Sequence, residues 1–335
     1  LGLLAVRRWG PPRLRGAVVY LLFVALACEA GLQVAAVAGL LPGVDVCMHA
    51  PFGRLYWTRE GFANGTMNRR GWHAAPFRLR EGEHRIALIG DSFVQAIQVP
   101  VRETMAARLE ERLEGAEVLA LGRSGIGPAH YREVLRHAVR HYAPDSAVLV
   151  LFLGNDFSDL APALRGRDPR RYLYVAHDLQ PLPASEPALH RFRDDLERNE
   201  RALVFSLPWT LKSHVFAPAV VRAAGRALRG REEPPPAGDL AAELAREGIH
   251  AGFFRDPPGK DDAQVFALAE AILDACVADA AQAGVTLRVV AIPYFPARFL
   301  AQGPETGWTR VVDGYDFAAP ERRLAAWAAA RGVGF

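Results

Sequence analysis

The sequence predicts an α/β protein, a three-layer domain built on a parallel sheet and preceded by one membrane-spanning helix. Three observations predict it. From Arg85 onward, short apolar strands alternate with amphipathic helices, the pattern of a parallel sheet. Three of these strands run into short polar turns: Gly90-Asp91-Ser92, Ser124-Gly125 and Gly154-Asn155-Asp156. Ahead of them lies an apolar run at 17–41 that is long enough as a helix to cross the ~30 Å hydrocarbon layer.

Arg7, Arg8, Arg13 and Arg15 precede that run and no arginine follows it until Arg54. The positive-inside rule therefore sets residues 1–16 in the cytoplasm and everything after the helix outside. Glu29 and Gln33 favour a buried core helix instead, because a carboxylate at the bilayer centre costs about 2.5 to 3.5 kcal/mol on insertion scales. The length of the run outweighs them, and it also exceeds the ~7 to 15 residue core of a cleaved signal peptide. Ala25-Leu26-Ala27-Cys28 is similar to a lipoprotein cleavage box, with alanine where a larger aliphatic is usual.

Residues 42–84 read as an irregular lead-in, rich in tryptophan and glycine, with turn signals at Asn64-Gly65 and Arg70-Gly71. The domain proper is 85–335. Its pattern is a strand at 85–89, a helix at 102–114 with Met105, Leu109 and Leu113 on one face, a strand at 117–121, a helix at 128–142, and a strand at 147–153. Pro128 suits a first helical turn, and Tyr131, Val134, Leu135, Ala138, Val139 and Tyr142 are spaced to cover one face. The near-continuous apolar strands are those of a sheet covered on both sides.

The rhythm breaks from about 157 to 260, an insertion with arginine clusters, the Pro234-Pro235-Pro236 stretch and amphipathic pieces at 203–216 and 220–228. It is read either as a variable surface element or as a lid, with Phe205, Trp209 and Phe216 lining an acyl pocket. Helix and strand return at 263–283 and 286–292, and a helix at 320–330 leads into Gly332-Val333-Gly334-Phe335, the start of another strand.

Composition excludes some functions. The net charge of +3 comes from the N-terminal arginines, and the remainder is balanced, so nothing recommends nucleic acid, whose binding rests on phosphate neutralisation. Cys28, Cys47 and Cys276 have no metal-ligand spacing and read as unpaired thiols; a disulfide between Cys47 and Cys276 stays open if the body is exported. No metal or organic cofactor is implied.

In open parallel sheets the ligand crevice lies outside the carboxyl ends of the strands, where all three polar turns fall. On these blocks, Ile89-Gly90-Asp91-Ser92-Phe93, Leu121-Gly122-Arg123-Ser124-Gly125 and Leu153-Gly154-Asn155-Asp156, the chain resembles the SGNH (GDSL-type) hydrolases from about residue 86 to 335. The resemblance implies a flavodoxin-like sheet and no cofactor. It makes Ser92 the nucleophile, with the Ser92 and Gly125 backbone N–H groups and the Asn155 carboxamide as oxyanion donors. Asp91 and Asp156 are expected to hold their turns. Ser124 is a rival nucleophile, but its surroundings miss the Gly-x-Ser-x-Gly elbow by one position.

The family's catalytic histidine belongs to an Asp-x-x-His near the C-terminus, and none of the ten histidines has aspartate three residues earlier. Glu81–His84 and Glu247–His250 have the spacing with glutamate, but His84 enters the first strand at its wrong end and His250 lies in or beside the insertion. His130 is nearer by sequence and reads as a helical residue. The expectation is a chain that stops before its last block, catalytic at full length and inactive as it stands. The implied function is an extracytoplasmic esterase acting on an ester-bearing small molecule, lipid or glycan. An envelope O-acyltransferase or a non-catalytic binding domain are the alternatives.

Overall fold

The computed structural model describes residues 12–165, 168–170, 172–201, 215–228, 239–296 and 311–335. The first helix, α1, is Pro12–Val37, somewhat earlier than the expected 17–41. It is the one described helix long and apolar enough to cross a membrane. Most of its residues up to Cys28 are exposed, whereas Ala36 is buried with Val44, Tyr56 and Phe216 against the body of the protein.

The lead-in is more ordered than its composition suggests. β1 (Val46–Cys47), β2 (Arg54–Trp57) and β3 (Ala63–Thr66) form a small antiparallel sheet. Leu55, Ala63 and Met67 from it pack with Ile97, so the lead-in lies against the segment that follows Ser92.

The central sheet contains β4 (His84–Gly90), β5 (Ala116–Gly122), β6 (Ser146–Phe152) and β7 (Thr286–Ile292), in the order β5-β4-β6-β7 and all parallel. Between β4 and β5 run α2 (Ser92–Gln95) and α3 (Met105–Glu110); α4 (Pro128–Tyr142) links β5 to β6. A one-turn helix at Pro162–Arg165 precedes α5 (Glu186–Arg201), α6 (Ala217–Leu228), α7 (Leu240–Arg246) and α8 (Lys260–Gln282). After β7 come the paired β8 (Val311–Val312) and β9 (Tyr315–Asp316), then α9 (Ala319–Arg331).

Past α9 the chain returns to the sheet: Gly334 bridges Arg288 in parallel and accepts a hydrogen bond from Val289 N at 2.8 Å. That bridge extends the β5-β4-β6-β7 order in the flavodoxin-like direction, with the switch point between β4 and β6.

Period-two alternation sorts the strand residues between two cores. Ala87, Ile89, Leu119, Leu121, Leu149 and Val289 pack under α4, α8 and α9. Leu88, Val118, Ala120 and Val150 pack with Val94 of α2 and Ala106 of α3. Cover on this second face is incomplete, since Thr286, Arg288 and Val290 of β7 are exposed.

Other expectations need correction. The helix predicted at 102–114 is a 3₁₀ turn at Val101–Glu103 followed by α3, and this rotates the buried face: Ala106 is buried, while Met105 and Leu113 are exposed. Cys47 and Cys276 are both free; Cys47 lies beside Gln95, whereas Cys276 is buried on the core-facing side of α8. Phe216 lines no acyl pocket, being fully buried edge-on to Tyr56. Phe205, Trp209 and Pro234-Pro235-Pro236 lie outside the described residues.

Candidate active site at the strand ends

Gly90, the last residue of β4, pairs with Gly122 of β5 on one side and Val150 of β6 on the other. Ser92 therefore leaves the sheet between the turn holding Gly125 and the turn holding Asn155. The structure brings all three sequence-predicted residues to the carboxyl ends of adjacent strands, around the switch point.

The turn after β4 is tight because Asp91 caps α2, its Oδ1 accepting from Phe93 N at 2.9 Å. Ser92 opens that helix and is half-buried. Gly122 packs directly beneath α2: a Cβ there would lie 2.6 Å from the Val94 carbonyl carbon and closer still to Gln95 N. Gly125 has φ +80°, a left-handed conformation that costs glycine nothing, and no atom lies within 4 Å of where its Cβ would be.

The turn after β6 is closed by Asp156, whose carboxylate accepts from Phe152 N at 2.9 Å and from the Tyr131 hydroxyl at 2.9 and 3.0 Å. Asn155 O accepts from Ser158 Oγ at 2.8 Å and Asp159 N at 2.9 Å, while Asn155 Oδ1 is buried without a partner. The second and third turns touch where Asp159 abuts Gly127, a Cβ on which would lie 3.0 Å from Asp159 Cβ.

Asp91, Asp156 and Asp159 are all buried at this junction. Burial, then the charge of Asp159, pushes the Asp91 carboxyl up to about 6. Burial, with Asp91 and Asp159 nearby, holds Asp156 well above the usual carboxylate range. Asp91 and Asp156 hold their turns, as expected.

Gln95 is a residue that sequence reading missed. Its Oε1 accepts from both Ser124 N and Ser124 Oγ at 2.6 Å, its Nε2 donates to His49 Nε2 at 2.6 Å, and its backbone O lies 2.7 Å from His73 Nδ1. One side chain on the Ser92 helix ties down the Ser124 turn and the lead-in. It also occupies the Ser124 hydroxyl, which argues against Ser124 as nucleophile. No motif announces such a residue, because its partners are 29 and 46 positions away.

The histidines sort by geometry. His84 lies at the amino end of β4, 3.1 Å from Ser146 Oγ. His130 is buried at the start of α4, edge-on to Phe192, with Gly127 N 3.5 Å from its Nδ1. His250 is half-buried on the strand-end side: the preceding Ile249 packs at Gly154, and Phe253, edge-on to the His250 ring, reaches Phe157. Its carboxylate partner is Asp262, with Oδ1 2.6 Å from His250 Nε2; Glu247 accepts from the Tyr294 hydroxyl instead.

An aromatic wall adjoins Ser92. Phe93, 41% exposed, packs on Phe152 at 4.4 Å, and Phe152 meets Tyr294, which follows β7. A separate cleft of about 700 Å³ lies elsewhere, lined by Glu133, Arg136, Arg140, Arg193, Glu197 and Asp279.

Fold and turns together define a three-layer α/β protein with three polar turns gathered at the switch point of a parallel sheet. No protein-family model and no curated protein matches the chain. Among solved structures, it is similar to TesA, with 14% identity over 75% of this chain and 76% of that one, at a TM-score of 0.33. It is similar also to AlinE4, an SGNH-hydrolase family esterase, with 20% identity over 50% of this chain and 94% of that one, at 0.23. A member of the lipolytic G-D-S-L family from Veillonella parvula DSM 2008 shares 14% identity over 74% of this chain and 97% of that one, also at 0.23. With likeness this distant, assignment of a function rests on the residues themselves.

Proposed function

We propose that this protein is an SGNH-type serine ester hydrolase that works through an acyl-Ser92 intermediate. The observation that carries the reading is the departure of the Ser92, Gly125 and Asn155 turns from three adjacent parallel strands around the switch point.

Ser92 Oγ attacks the ester carbonyl as a base takes its proton. The carbonyl oxygen becomes an oxyanion, which accepts from Ser92 N–H, Gly125 N–H and the Asn155 carboxamide; one such donor is typically worth about 2.7–4 kcal/mol. The alcohol leaves with a proton returned by the base. Water then attacks the acyl-serine by the same route in reverse. Phe93, Phe152 and Tyr294 give the acyl group an apolar wall.

The family resemblance gives the base to the histidine of an Asp-x-x-His element, and none of the ten histidines of this sequence has aspartate three residues earlier. α1 anchors the protein in the membrane with its arginine-rich end in the cytoplasm and the hydrolase domain outside. The substrate is an ester-bearing lipid, glycan or small molecule.

The test is hydrolysis of a short-chain aryl ester by the full-length protein. Ser92→Ala abolishes turnover while leaving the circular dichroism unchanged. Asn155→Ala lowers kcat by about 10²–10³ with little change in KM. Turnover that survives Ser92→Ala refutes the nucleophile, and turnover that His250→Gln removes gives the base to the His250–Asp262 pair.

A further inference from the structure

The last turns of α4 meet α5 about 14 Å along the helix from Pro128, remote from the strand-end turns. We propose that His137, His141 and Glu197 form a site there for one late first-row divalent cation of the zinc type.

The ligand-capable atoms of these three residues lie within 4.8 Å of one another. Spacing of four on α4 sets both imidazoles on one helix face, with ring centroids 4.5 Å apart. Glu197 Oε1, reaching across from α5, is 3.1 Å from His141 Nε2 and 3.6 Å from His137 Nδ1.

A second observation points to a ligand. The His137 side chain is 1% exposed, and its Nδ1 is buried without a hydrogen-bond partner, facing Glu197. Its other ring nitrogen is engaged: Nε2 lies 3.3 Å from Glu200 Oε1 and 3.4 Å from the Tyr142 hydroxyl, which itself donates to Glu200. A proton held on Nε2 by a carboxylate leaves the Nδ1 lone pair directed into the cluster. This carboxylate–histidine arrangement recurs behind metal-bound imidazoles.

Two imidazoles and one carboxylate suit zinc and its neighbours, whereas magnesium and calcium take oxygen donors. Glu197 borders the 700 Å³ cleft, so an ion has a way in and water a fourth position. Without the ion, Glu197 Oε1 is shared by His141 and by Arg140 Nη2 at 3.2 Å, and Arg70 pairs with Glu200. On binding, Arg140 gives up that oxygen and His141 presents its Nε2 lone pair, with the ring proton on Nδ1. The ion then fastens α5 to α4.

The test is titration of chelator-dialysed protein with ZnCl₂ by calorimetry, with melting curves with and without Zn²⁺. Expected are one Zn²⁺ per chain and a rise in Tm. Whatever its own melting point without zinc, His141→Ala should bind at least about tenfold more weakly and lose the zinc-dependent rise; Glu200→Gln should bind about 10–100-fold more weakly. Absence of saturable binding, or binding and a Tm rise that His141→Ala leaves unchanged, overturns the site and leaves a hydrogen-bonded helix contact.

Discussion

Gly122→Ala tests how closely the sheet supports the Ser92 helix. The new methyl would lie 2.6 Å from the Val94 carbonyl carbon and 2.8 Å from Val94 Cβ, and most of what it meets is backbone. Carbon atoms settle at about 3.5–4.0 Å, so α2 must move by about 1 Å or β5 must bend. Neither can yield freely. Val94 is fully buried among Leu88, Ala120 and Val150, and Gln95 is bonded to Ser124 and His49. Overpacking of this kind costs about 1–3 kcal/mol, or several degrees in Tm. Displacement of a nucleophile by about 1 Å costs up to ~10²-fold in rate. Urea unfolding and aryl-ester kinetics on the full-length protein measure the two effects. A variant as stable as the parent, with unchanged kcat, would show that α2 does not rest on Gly122 as described.

Other substitutions probe the buried carboxyls and α1. Asp91 has its pKa raised to about 6 by burial and Asp159. The stability linked to it is complete below pH ~4 and is lost as pH rises through ~6, a change of up to about 3 kcal/mol. Asn retains the cap on Phe93 N but does not titrate, so urea unfolding of Asp91→Asn should show a flatter profile between pH 4 and 7; parallel profiles would contradict this. Tyr131→Phe strips a donor from the buried Asp156 and should cost about 1–3 kcal/mol in the same measurement. Glu29→Ala removes the acceptor for Phe216 N at 2.8 Å and Ala217 N at 3.1 Å, a capping loss of about 0.5–2 kcal/mol. Hydrogen exchange at those two amides should quicken, and unchanged protection would detach α6 from α1.

How much of this was legible in the sequence depended on the range of each interaction. Thr286–Ile292 and Pro128–Tyr142 fall where alternation and helical spacing set them, because a strand buried on one face and a one-faced helix write their environment into neighbouring residues. The turns at Asp91 and Asp156 were legible for the same reason, since those aspartates close them locally, whereas the Ser124 turn is held by Gln95 from 29 positions away. Met105 and Leu113 misled because the helix is shorter than its apolar spacing suggests. Glu29 read as a cost to a membrane helix, yet its partners lie 187 and 188 positions away. His250 was judged by Glu247, three residues before it, while its partner is Asp262, twelve after. Gln95, like these, is defined by what packs against it and by no pattern in its own neighbourhood.

The central claim is that Ser92 Oγ, Gly125 N–H and the Asn155 carboxamide act on one carbonyl. A crystal structure of the full-length protein treated with an aryl fluorophosphonate addresses it directly. The account predicts phosphorus bonded to Ser92 Oγ, with the phosphonyl oxygen about 2.7–3.1 Å from Gly125 N and Asn155 Nδ2. Modification of another residue such as Ser124, or a Ser92 adduct whose oxygen meets neither donor, would contradict it.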